Sequence, residues 1–180
     1  MIEAAWMNGA KRLMFFGSAC IYPRLATQPM AETALLTGPL EPINEWYAIA
    51  KIAGISLCDA LWRQHEFNTV SVMPNNLYGP GDNFHLKNTH VLSALIHKFH
   101  EAKNKGASEV VVWGSGTPLR EFLHVNDFAD AAVFLLQEYE DGGIVNVGTG
   151  SDISIGDVAF MIKQVIDYKG DIVYDTTKLD

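Results

Sequence analysis

Tyr47 and Lys51 stand four residues apart in "NEWYAIAKIAG", residues 44–54 of a 180-residue chain. In a helix that spacing puts a phenol and an ammonium on one face, about 6 Å apart. The ammonium stabilises the phenolate and can hold a sugar hydroxyl, and the phenol can give or take a proton at a carbonyl oxygen. Alone, the spacing is a weak signal, since chance supplies it about 0.3 times in a chain of this composition. A second match, Tyr174 with Lys178, begins on a strand, where four positions span about 13 Å, and is discounted. Context strengthens the first. "FFGSACIYP" places Ser18 just past the end of an apolar strand, and in open α/β sheets ligands bind at the carboxyl ends of strands. Ser18, Tyr47 and Lys51 together have the means to bind a carbonyl and a nicotinamide. By spacing alone, a capping serine and a solvated Tyr/Lys pair explain them equally well.

Those residues need elements to position them, and the chain supplies enough apolar sequence to build them. It is 48% hydrophobic and 19% charged, which suits a folded domain with a sizeable core. A net charge of −8 argues against nucleic acid or an anionic membrane as partner, while leaving room for a small anionic ligand held by local bases. No apolar run is long enough to span a bilayer, and "MIEAAWMNGAKR" lacks the pattern of a signal peptide. Cys20 and Cys58 suggest neither a disulfide framework nor a zinc site, and His85, His97, His100 and His124 show no metal-binding pattern. The expectation is a reduced, cytoplasmic protein without a metal.

Strand-like runs alternate with helical periodicity. "RLMFFGSA", "TVSVMPNNLYG", "EVVVWGSG", "GIVNVGTG" and "DIVYD" read as strands. Asn44 to about Gln64 reads as a long helix with Trp46, Ala50, Ala53, Leu57 and Leu61 as its apolar stripe. "THVLSALIHKFHEAK", "VNDFADAAVFLLQEY" (capped by Asn126) and "SIGDVAFMIKQVIDY" read as further helices. Cys58, one turn past Gly54, reads as packing. The alternation predicts an α/β fold with a mostly parallel sheet covered on both faces. The proline-bearing loop from Tyr22 to Pro42 is long enough to be functional.

In order and spacing, "GSACIYP", "NEWYAIAKIAG", "MPNNLYGPGDNF", "VVVWGSGTPLREFLHVNDFADA" and "NVGTG" resemble the extended short-chain dehydrogenase/reductases over almost the whole chain. The resemblance implies a partial Rossmann-like, doubly wound parallel sheet with part of a smaller α/β substrate domain. It puts a NADP-binding part at 1–82 and 125–149, and a nucleotide-sugar part at 83–124 and 150–180. Within the family the details resemble an enzyme that epimerises C3 and C5 of GDP-4-keto-6-deoxy-D-mannose and reduces C4 with NADPH. That implies NADP(H) as cofactor, a nucleotide-sugar as substrate and a homodimer, with the Tyr47 helix contributing to a four-helix bundle. By resemblance Ser18, Tyr47 and Lys51 are the catalytic triad, and Cys20 and His90 the epimerisation base and acid. Phe16, Gly17, Ser18, Ala19, Tyr47, Lys51, Pro74, Asn75, Asn76, Leu77 and His90 line the cofactor, and Lys98, Trp113 and Arg120 hold the nucleotide-sugar. The family shows a second serine where this chain has Ala19, and often arginine where it has Lys98. A lysine keeps the charge but loses bidentate phosphate geometry.

The chemistry of these residue types agrees with such roles. A 4-keto sugar has acidified hydrogens at C3 and C5, and inverting both centres needs a base on one face and an acid on the other. A thiolate at Cys20 can be the base, an imidazole at His90 the acid. Without the resemblance, Cys20 is a small buried hydrophobe and His90 a surface residue at a helix start. No G-x-G-x-x-G or G-x-x-G-x-x-G occurs. With "VYDTTKLD" at the end, the chain reads as a fragment of a longer enzyme, expected alone neither to bind NADPH nor to turn over. A related nucleotide-sugar 4-epimerase or 4,6-dehydratase, or an inactive binding module, remain as alternatives. Against the two enzymes stands the Cys20/His90 pair, and the dehydratases' Asp-Glu pair is absent after Ser18.

Overall fold

The computed structural model describes residues 1–85 and 89–178. In chain order its helices are α1 (Ile2–Met7), α2 (Glu45–His65), α3 (Val91–Lys105), α4 (Val125–Glu138) and α5 (Ile155–Ile166). Its strands are β1 (Arg12–Phe16), β2 (Asn68–Pro74), β3 (Asn76–Tyr78), β4 (Glu109–Trp113), β5 (Leu119–Arg120), β6 (Phe122–His124), β7 (Ile144–Val147), β8 (Ile153–Ser154) and β9 (Asp171–Asp175). The chain divides into a first unit, Met1–Leu77 with Leu123–Gly148, and a second, Tyr78–Phe122 with Thr149–Asp180. No helix of the described residues is long and apolar enough to cross a membrane.

In the first unit β1, β2 and β7 form a parallel sheet in that order, with Phe16 opposite Val72 and Pro74 opposite Val147. Alternation along β2 sends successive side chains to opposite faces. Val70 and Val72 pack with Leu123 and with Phe128 of α4, while Met73 packs with Ile52 and Ile55 of α2. The sheet is thus covered on both faces, as the α/β reading expects. Two polar residues on the α2 side are buried. Thr69 donates to the Cys58 carbonyl at 3.1 Å, and Ser71 lies against the Cys58 thiol, which burial pushes up in pKa.

Two expectations need correction. The buried stripe of α2 is Ala48, Ile52, Ile55, Cys58 and Leu61, whereas Trp46 and Leu57 are 79% and 40% exposed. The helix is apolar on two faces, and periodicity cannot say which one meets the sheet. The residue capping α4 is His124, whose Nδ1 accepts from the Asn126 N–H at 3.2 Å. Asn126 is already inside the helix, because β6 runs straight into it.

The loop between Tyr22 and Pro42 is pinned to β7 by one residue, Asn146. Asn146 Oδ1 accepts from the Tyr22 hydroxyl at 2.5 Å, its Nδ2 donates to the Met30 carbonyl at 2.9 Å, and its N–H donates to Glu32 at 2.9 Å. Burial, with Glu32 nearby, pushes the Tyr22 phenol from its ordinary 10.0 up to about 12. The unfolded chain therefore releases this proton first as pH rises. The contribution of neutral Tyr22 to stability is whole below about pH 10 and lost as pH climbs through about 12. Thermal melts across that window are expected to show a steeper alkaline fall for the unaltered chain than for Tyr22→Phe. Parallel slopes would remove Tyr22 as the cause.

In the second unit β4 and β9 pair in parallel from Glu109–Asp171 to Trp113–Asp175, and β5 pairs antiparallel with β8. Val110 and Val112 of β4 face a core with Leu95 and Phe99 of α3 and Val158, Ala159 and Ile162 of α5. Ser154 caps α5, its Oγ accepting from the Asp157 N–H at 3.0 Å.

Candidate active site

The carboxyl end of β1 is where the first unit gathers its reactive side chains. The strand stops at Phe16, and Gly17 follows where a Cβ would lie 2.2 Å from the Met73 sulfur, so a larger residue there would have to push the end of the Met73 side chain aside. Ser18 then opens a single 3₁₀ turn, Ala19–Ile21, its Oγ accepting from the Cys20 N–H at 3.3 Å. Serine and cysteine are thus fixed on one short turn beyond the strand end.

Helix α2 brings the other half. A Cβ on Gly54 would sit 2.2 Å from the Phe15 ring, so a glycine lets α2 press against β1. One turn earlier, Lys51 reaches the strand end and donates from Nζ to the Phe16 carbonyl at 2.7 Å. The same ammonium lies 5.5 Å from the centre of the Tyr47 ring and 5.5 Å from that of Phe15. Tyr47 itself is half-exposed. Ser18, Cys20, Tyr47 and Lys51 therefore meet around one strand end.

Asn44 is a member that sequence reading missed. It precedes α2, where asparagine ordinarily caps the helix, but its side chain makes no capping bond. Its Nδ2 instead donates to Cys20 Sγ at 3.2 Å, while its buried Oδ1 has no hydrogen-bond partner. Nothing in the sequence near Asn44 signals this contact with Cys20.

At the neighbouring strand end, Asn75 links β2 to β3 with both side-chain polar atoms buried and, among the described residues, without partners. Buried amides are ordinarily hydrogen-bonded, and a partnerless pair at the carboxyl end of a parallel strand suits a polar ligand. Phe16, half-exposed, and Gly17 lie at the end of the adjacent β1. These residues fit a dinucleotide's nicotinamide end. Pro74, Asn76 and Leu77 flank Asn75, and Ala19 lies within the 3₁₀ turn.

The remaining expected residues fall in the second unit. His90 is the N-cap residue of α3 and makes no capping bond with its side chain. Lys98, also on α3, holds its Nζ 4.7 Å from the Trp113 ring centre and donates to the Val111 carbonyl at 3.1 Å. Burial pulls its ammonium below the usual lysine range. Arg120 on β5 is exposed and donates to the Leu119 carbonyl at 2.8 Å.

A profile described as the NAD dependent epimerase/dehydratase family matches residues 1–148. The chain belongs to that family. Within the epimerase/dehydratase family it is 58% identical over 180 residues to the putative GDP-L-fucose synthase 2 of Arabidopsis thaliana, covering 100% of this chain and 55% of that protein. It is 52% identical over 189 residues to the GDP-L-fucose synthase of Escherichia coli K12, covering 100% of this chain and 59% of that one. Among solved structures, a GDP-L-fucose synthetase from Naegleria fowleri bound to NADP superposes with a TM-score of 0.93 at 32% identity, over 99% of this chain and 58% of that one. The chain thus spans little more than half the length of these epimerase/dehydratase relatives. The Rossmann-like fold expected from the motifs is borne out.

Proposed function

We propose that this chain carries the catalytic and sugar-binding residues of a GDP-L-fucose synthase, which epimerises C3 and C5 of GDP-4-keto-6-deoxy-D-mannose and reduces C4. The supporting observation is the cluster at the β1 end, where Ser18, Cys20, Tyr47 and Lys51 surround one strand terminus. Identities of 52 to 58% to proteins of that name support it further.

NADPH, when bound, supplies the reducing equivalents for C4, and Asn75 with Phe16 and Gly17 would hold its nicotinamide end. Cys20 removes the proton at the carbons beside the ketone, with Asn44 directed at its sulfur. His90 returns a proton from the opposite face. Tyr47 and Ser18 donate hydrogen bonds to the C4 oxygen and stabilise its negative charge as the enolate forms. Lys51, anchored on Phe16, positions the phenol. In the reduction Tyr47 gives its proton to the same oxygen. Lys98, Trp113 and Arg120 hold the nucleotide-sugar.

The test is to graft residues 1–180 into the matching stretch of the Arabidopsis relative and supply substrate with NADPH. We expect GDP-L-fucose and one NADPH consumed per product. A 4-epimerase or 4,6-dehydratase would consume none net, and a binding module would yield no product. Either result would overturn the reading.

A second copy of the chain is the partner proposed for the outer face of α2, where Trp46, Ile49 and Leu57 are exposed. Apolar side chains aligned on one helix face suit a helical interface. Sedimentation of the grafted enzyme is expected to show a dimer, converted to monomer by Trp46→Glu with Leu57→Glu; a dimer that survives both changes rules this face out. A cytoplasmic location is proposed from the two unpaired cysteines, and cell fractionation checks it.

A further inference from the structure

Strands β4 and β9 end side by side, with Trp113 opposite Asp175 as their last pair. Both chains turn off sharply there. Gly114, at φ +79, leaves β4 with its N–H held by the Asp175 carbonyl at 3.0 Å. After β9, Asp175 Oδ1 accepts from the Thr177 N–H at 3.1 Å and from its hydroxyl at 2.6 Å, and the Asp175 carbonyl accepts from the Lys178 N–H at 3.2 Å. This closed turn folds Lys178 back until its Nζ lies 5.8 Å from the Trp113 ring centre.

Lys98 arrives at the same ring from α3, at 4.7 Å. Two ammonium groups from separate elements thus share one indole that is 61% exposed. They stand within roughly 10 Å of each other, about a Debye length, where like charges still repel. Among the described residues neither lysine forms an ion pair. The nearby Asp175 carboxylate already accepts two bonds from Thr177 through one oxygen. In a chain of net charge −8, two ammonium groups gathered at one indole are a local concentration of positive charge, of which the Asp175 carboxylate offsets part at Lys178, and they lie beside the carboxyl ends of parallel strands, where such folds bind ligands. A ligand with several anionic oxygens relieves the repulsion and meets both ammonium groups.

We propose that Lys178 is a binding residue for the diphosphate of the nucleotide-sugar, acting with Lys98 beside Trp113. The proposal rests on the functional reading above and adds a residue to it. Lysine suits the task as a mobile point charge, which needs no fixed planar approach. Its position explains why the turn after β9 is tied by three hydrogen bonds instead of being left loose.

The test is to titrate the grafted enzyme with GDP and with guanosine, following tryptophan fluorescence. Lys178→Met is expected to weaken GDP binding roughly tenfold or more and to leave guanosine unchanged, with Lys178→Arg restoring most of the loss. The salt dependence of GDP binding is expected to become shallower in Lys178→Met. GDP binding that is unchanged in Lys178→Met overturns this inference and leaves the functional reading standing. Equal weakening of both ligands also overturns it, since Lys178 would then only be shaping Trp113. Failure of the grafted enzyme without the Lys178 change to bind GDP overturns the functional reading and this inference together.

Discussion

Replacing Tyr47 with phenylalanine is expected to lower ketone reduction by the grafted enzyme roughly 10²-fold or more, because it removes the proposed proton donor and almost no volume. The fold has no stake in that hydroxyl. Lys51 is held by the Phe16 carbonyl at 2.7 Å, and the Tyr47 side chain is half-exposed, so α2 keeps its seat on β1. The loss should therefore appear in the chemical step, with NADPH affinity and thermal stability close to those of the unaltered enzyme. NADPH oxidation at an undiminished rate in Tyr47→Phe would sink the assignment.

Cys20→Ala is expected to abolish deuterium wash-in at C3 and C5 while sparing the reduction of a substrate supplied already epimerised. The two activities separate because they use different atoms of one site. In the proposed mechanism Cys20 works at carbon, and Tyr47 at the C4 oxygen. Asn44→Ala tests the same sulfur more gently. It removes the 3.2 Å donor to Cys20 Sγ without touching the thiol, so it should slow wash-in and leave reduction alone. Slowing of both activities in Asn44→Ala would mean that the residue only shapes the start of α2. Persistent wash-in in Cys20→Ala would require another base.

Much of the fold was legible because its signals are local. Helix α2 was expected from Asn44 to about Gln64 and spans Glu45–His65. Ser18 does lie just past the end of β1, since an apolar run followed by glycine announces its own end. Cys58 is buried packing, as its place one turn beyond Gly54 suggested. The short strands β5 and β8 were not foreseen. Two-residue strands carry no periodicity, and only their pairing defines them.

By itself the sequence determined which residue types stand at which spacing: a phenol and an ammonium one helical turn apart, a serine and a cysteine on one short turn, and alternating strands and helices that require a covered parallel sheet. These follow from steric and periodic rules acting over a few residues. The tertiary structure decided what depends on partners distant in sequence. It chose which of two apolar faces of α2 meets the sheet, because Ala48, Ile52 and Ile55 find the surface that β1 and β2 provide. It aimed the Asn44 amide at Cys20, twenty-four residues away. It also carried Lys178, discounted in sequence as the far end of a strand-borne pair, around a closed turn to a tryptophan on another strand. A helical neighbour is set by the backbone, whereas a contact across the fold exists only once the core has packed.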